Sequence, residues 1–323
     1  MKPVHEHEKS FDVFGSRVRL LIGDSVAPEL LPPEVAALEI EALMRGLHAK
    51  LTRFEPGSEL CELNSDPTTH RTVSPELAMA VRAGIWAAEE TDGLVDPTLV
   101  DEIEGVGYAR SRAGVAGAPI AEAIRAAPRR CPARPRPGSR WREVKVDVAT
   151  SVVSRPPGVR IDTGGTGKGL AADLAAGRLA GYDLFAVDVG GDLRTGGARP
   201  RPRIVEIDHP LEGASPAFKL VRGAVATSGL RTRVWRTADG YAHHLLDPST
   251  GRPAWTGVIQ ATAVAGTALR AETLAKEALL SGAERGRELL SQDGGVLVLD
   301  DGSVEVIGPL AARIREPARA EAA

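Results

Sequence analysis

Apolar and polar residues alternate across positions 11–22 around Gly15, which predicts a first strand with a bend. Pro32-Pro33 then opens a helix that the pattern carries to about Lys50, with Leu38, Leu43 and Leu47 on one face. After the Glu55-Pro56-Gly57 turn, Ser58 and Glu62 are spaced to start a short helix. Ser74-Pro75-Glu76 caps another, running to about Thr91, where Gly93 stops it and Asp96-Pro97 sets a turn. Positions 141–153 return to a strand pattern with a hairpin at Ala149-Thr150-Ser151. Short strands follow at 185–189, 204–207, 218–220, 223–228, 260–265, 295–299 and 304–307, with helices from about Leu170, Arg270 and Gly282. So many short strands favour a largely antiparallel sheet over a doubly wound parallel one. The expected class is α+β, a mixed and mostly antiparallel sheet with flanking helices.

Composition narrows the classes without choosing one. The chain has 323 residues, is 43% hydrophobic and carries a net charge of −3, enough for one large core. Near-neutral charge without basic-aromatic interleaving argues against a nucleic-acid partner. Cys61 and Cys131 are too few for a disulfide framework and lack metal-type spacing. No apolar run reaches membrane-spanning length, and positions 1–10, with His5 and His7, read as a polar, disordered leader without a signal-peptide core. A cytoplasmic protein is expected, with one domain over 11–310, a Pro- and Arg-rich connector at 110–140 and a polar tail at 311–323.

The densest candidate chemistry is the run from Val159 to Leu170, where an alternating segment meets Asp162, Gly164, Gly165, Gly167, Lys168 and Gly169 before a helix. Glycine backbone approaches a ligand closely and a helix N-terminus favours an anion, so the run suits a phosphate. It is not a P-loop, because Asp162 and Gly169 occupy the places of a required Gly and Ser or Thr. Gly167-x-Gly169-x-x-Ala172, with Asp188 further on, mimics a dinucleotide fingerprint, but loop residues separate it from the strand. A second glycine turn with an acid stands at Gly190-Gly191-Asp192, and a strand gives out at Thr227 and Ser228. His243-His244 precedes an Asp247-Pro248 turn. On a strand the two histidines face opposite ways, so at most one serves a site directly.

Taken in order, Thr52-Arg53-Phe54 through Asn64, Gly93 through Thr98, Asp162 through Gly169, Gly190-Gly191-Asp192, Ala224 through Gly229 and His244 through Pro253 resemble the flavin transferase family called ApbE. The resemblance implies a T-fold-like α+β architecture that binds FAD as substrate. It also implies Mg²⁺-dependent transfer of FMN to a threonine or serine of an acceptor flavoprotein, with AMP leaving. It places Asp96, Asp162, Gly164, Gly165, Lys168, Thr227 and Ser228 in the FAD pocket, His244 as the base and Asp247 as its helper. The family's metal site implies the Gly167 carbonyl, then an Asp and a Thr four apart on a helix. Here those two positions hold Glu272 and Lys276, whose spacing also suits a surface ion pair. Four outcomes stay open: Mg²⁺ held with Lys276 turned aside, an ammonium replacing part of the metal's charge, an FAD-binding carrier, or an FAD pyrophosphatase.

Overall fold

The computed structural model describes residues 5–315. Strands β1 (Glu6–Val13) and β2 (Ser16–Gly23) form a hairpin where the sequence pattern predicted one bent strand. Phe14 and Gly15 both adopt positive φ, 57° and 64°, the two-residue turn that matches strand twist. The expected leader is therefore part of a strand from Glu6 onward.

Six more strands complete the main sheet: β3 (Phe185–Val189), β4 (Asp192–Gly196), β5 (Gly223–Gly229), β6 (Val258–Ala265), β7 (Gly295–Leu299) and β8 (Val304–Ile307). They lie side by side in chain order, each antiparallel to the next. Such a meander needs no parallel crossover, which is why the dinucleotide reading fails.

Helices cover one face. The stretch between β2 and β3 carries α1 (Pro33–Leu51), α2 (Glu59–Ser65), α3 (Pro75–Glu90) and α4 (Gly167–Leu179); α5 (Ala268–Leu280) and α6 (Gly282–Leu290) join β6 to β7. Ile40, Met44, Ala172, Ala175, Leu179 and Ala271 pack there against Leu20, Ile22, Val187, Ala224 and Ala226. Alanines on both surfaces let α5 lie close to β5 and β6. The face of α1 differs from expectation: Leu47 is buried, but Leu38 is 56% exposed and Ile40 and Met44 take its place in the core. A small sheet of 203–206, 217–220 and 314–315 covers the opposite face over Val225, Val264 and Val296. The segment expected as a tail thus contributes a strand at 314–315, and the rest of it, from 316, lies outside the described residues.

Two elements depart from the pattern for local reasons. Val159 and Ile161 are buried yet not in a strand, because the Asn64 side chain pairs with both Ile161 N–H (2.7 Å) and Ile161 C=O (2.8 Å). The 110–140 segment is strapped to the body. Arg130 bonds Asp300 at 2.6 Å, Arg136 pairs with Glu102 at 2.6 Å, and the Ala133 N–H reaches Leu280 O.

Candidate active site

The two glycine-bearing helix starts meet at the centre of the molecule. A Cβ on Gly169 would lie 2.7 Å from Ala268 O, so only glycine lets the N-termini of α4 and α5 come this close. Each helix then caps the other. Asp173 on α4 accepts the Ala268 and Leu269 N–H groups of α5 (both 2.9 Å), and Glu272 Oε2 on α5 accepts the Gly169 N–H (2.9 Å). Each cap contributes on the order of 1 kcal/mol.

Around Glu272 stands a box of four charges. Lys276 Nζ donates to Glu272 Oε1 at 2.9 Å, Lys168 Nζ lies 3.7 Å from the same oxygen, and Lys168 also bonds Asp192. Glu272 and Asp192 side chains are 1% exposed, so this is a buried cluster and not the surface pair the spacing suggested. Burial raises the Asp192 carboxyl to about 6 against the pull of Lys168. For Lys168 burial works downward, but Asp192 and Glu272 outweigh it and hold the ammonium above its usual value. The pull of Lys276 and Lys168 keeps Glu272 ionised despite its burial.

This box floors a cleft of about 940 Å³. Asp96, Asp162, Gly164, Gly165, Gly167, Lys168, Thr227, Ser228, His244, Glu272 and Lys276 all line it. Asp247 does not: its carboxylate accepts the Ser249 and Arg134 N–H groups (both 3.0 Å) and the Ser249 hydroxyl, organising the turn after His244. Part of the glycine loop is already committed to the protein's own acceptors. The N–H groups of Gly164, Thr166, Gly167 and Gly169 already have acceptors in Asp162, Thr163 and Glu272.

Another part of the cleft, on the other side of Asp162 from Gly164, is aromatic. Phe54 and Tyr108 stand 5.5 Å apart, and the Arg53 guanidinium lies over both rings at 4.3 and 4.8 Å. Arg53 is 4% exposed and gives its Nε to Asp162 at 3.0 Å, while Nη1 and Nη2 have no hydrogen-bond partner among the described residues. Asp96 Oδ2 and His244 Nδ1 are buried and unpartnered in the same way. Burial raises the Asp96 carboxyl, with hydrogen bonds from Thr98 opposing. Burial first, then Arg233, His243 and Lys276, holds His244 well below the usual imidazole range, so it is a neutral acceptor. His243 faces away into the core, edge-on to Trp255.

Sequence reasoning assigned no role to Arg53, Asp192 or Asp173. The first two sat inside motif pieces, but only the fold shows that one is a buried cation with two free nitrogen atoms and the other a buried counter-ion. The connector contributes as well, since Ser111 to Val115 line the cleft.

The expected Mg²⁺ does not suit these residues. Both Glu272 oxygens are taken, an ammonium stands 2.9 Å from one, and no three His, Cys, Asp or Glu side chains converge as a metal site among the described residues. Mg²⁺ prefers an octahedral shell of oxygens.

An antiparallel meander whose helix starts and strand ends enclose a cleft with charged and aromatic walls defines an α+β protein with one large candidate binding site. The chain belongs to the ApbE family, whose pattern matches residues 14–299. It is 27% identical to an FAD:protein FMN transferase of Rhodobacter capsulatus, covering 97% of this chain and 59% of that one. To the Treponema pallidum FAD:protein FMN transferase it is again 27% identical, over 93% and 88% of the two chains. The ApbE protein of Thermotoga maritima superposes with a TM-score of 0.78 at 26% identity, over 97% and 100%. No described helix is long and apolar enough to cross a membrane.

Proposed function

We propose that this chain is an FAD:protein FMN transferase. The observation that carries the reading is the single cleft that joins a stacking end, at Arg53, Phe54 and Tyr108, to a cationic end, at Lys168 and Lys276. A dinucleotide offers flat rings and a diphosphate in that order, and the cleft volume is at the upper end of small-ligand sites.

In this reading Arg53, Asp96, Asp162, Thr227 and Ser228 hold the ring systems and sugars, while Lys168 fixes the diphosphate beside Gly164 and Gly165. The acceptor is a flavoprotein that presents a threonine (or serine) hydroxyl. His244 takes the hydroxyl proton at its unpaired Nδ1. The hydroxyl oxygen then bonds to the phosphorus on the FMN side as the bridging P–O bond breaks, and AMP leaves with the electron pair. Asp247 contributes by holding the turn that follows His244. No step here is assigned to a metal ion.

The test combines the purified protein, FAD and a candidate acceptor flavoprotein, following AMP release and intact acceptor mass. A mass gain of one FMN, lost when the acceptor threonine is changed to alanine, supports the transferase. AMP release without labelling would indicate hydrolysis, and FAD binding without either product would indicate a carrier.

A further inference from the structure

Lys276 sits where it can act on a ligand and not only on its own helix. Its side chain is 13% exposed, lines the cleft, and passes under the glycine loop, with Cε 3.9 Å from the place a Gly165 Cβ would occupy. Its partner Glu272 has no oxygen to spare, because Oε1 takes the ammonium and Oε2 takes the Gly169 N–H. The four loop amides named above are likewise committed. Lys276 and Lys168, with Arg233 nearby, are thus the cations that line this end of the cleft.

Charge counting points the same way. Lys168 and Lys276 balance Asp192 and Glu272, so the box is neutral as it stands. A divalent cation could reach a Glu272 oxygen only by displacing the Lys276 ammonium from Oε1 or the Gly169 N–H from Oε2, and breaking a buried ion pair is costly. Without Lys276 the same box is one positive charge short, and Glu272 Oε1 keeps only the distant Lys168.

We propose that the Lys276 ammonium is this chain's built-in counter-cation for the substrate diphosphate, so that FAD binding and turnover need no divalent metal. The proposal rests on the reading of the cleft as an FAD site.

The experiment titrates FAD into the purified protein by flavin fluorescence, in chelator and in excess Mg²⁺, for the wild type, Lys276→Met, Lys276→Thr and Lys276→Arg. Circular dichroism confirms that each variant is folded. The wild type should bind equally, within about twofold, in both conditions. Lys276→Met in chelator should bind about 10- to 100-fold more weakly, the usual worth of a hydrogen bond to a charged group. Lys276→Thr should show a comparable loss in chelator that Mg²⁺ restores, and Lys276→Arg should keep the metal-independent affinity. A purely structural ion pair would alter folding without creating a Mg²⁺ response. Wild-type affinity that rises tenfold or more with Mg²⁺ overturns the proposal, as does full affinity of Lys276→Met in chelator. Absence of FAD binding under every condition overturns the functional reading and this proposal together. Metal-independent FAD binding without labelling of any acceptor sinks the transferase alone. If a Lys276 variant fails to fold, the wild-type comparison still decides.

Discussion

The two ends of the cleft leave polar groups unpaired to different degrees. At the cationic end each of the four charged side chains has an opposite charge beside it, and two helix starts are capped reciprocally. At the aromatic end Arg53 keeps two buried nitrogen atoms and Asp96 one buried oxygen without partners. Leaving a buried polar group unpaired costs about 1–3 kcal/mol. Asp192 Oδ1 in the lysine box is unpartnered as well, and Arg53 still pairs with Asp162, so the difference is one of degree: more buried polar atoms are left open at the aromatic end, where a ligand can use them.

The sharpest way to break that contrast is Glu272→Ala. It removes the shared partner of two lysines and the cap of α4 at once, and losing one member of a buried ion cluster costs roughly 3–5 kcal/mol. Thermal or urea unfolding should show a loss of that size, whereas a change under about 1 kcal/mol would mean the box does not organise the site. Arg53→Met should do the reverse. FAD affinity should fall about 10- to 100-fold with a smaller change in stability, because the lost groups serve a ligand. Equal affinity in a fluorescence titration would remove Arg53 from the pocket.

The smallest effect concerns an unpaired atom outside the cleft. His243 is fully buried, its Nε2 lacks a partner, and burial lowers its imidazole to about 3 from 6.5. Between those values the unfolded chain binds the proton and the native chain does not, so stability falls as pH drops through this window. The slope is about 1 kcal/mol per pH unit for one such group. His243→Asn should flatten acid unfolding by about that amount below roughly pH 6.5, and an unchanged pH profile would show that His243 is not held neutral.

How much of this was legible depended on how local its cause was. The caps at Ser58 and Ser74 are local, and both helices start where their sequences say. The antiparallel class followed from strand number and brevity. The hairpin at Phe14 was missed because a bulky residue at positive φ is uncommon. Leu38 was misplaced because the face of α1 is chosen by what packs on it, β1 and β2 before it and α4 more than a hundred residues later, which periodicity within α1 alone does not show. At the site, glycines and one histidine announced themselves. Gly169, though, is there as much for helix packing as for any ligand, and the free groups of Arg53 became visible only when its neighbours were in place.

The order of strands carries a consequence for assembly. Of the seven pairings in the eight-stranded sheet six join strands much nearer in the chain, but β2 must find β3 across everything between residues 24 and 184. Closing so long a span costs chain entropy before Leu20 can meet Val187, and distant pairings of this kind slow folding. Arg53 and Asp96 lie within that span, while Thr227, His244 and Lys276 come after it. The cleft comes into being only when this seam is zipped, so the structure that recognises the ligand can form no earlier than its most distant strand pairing.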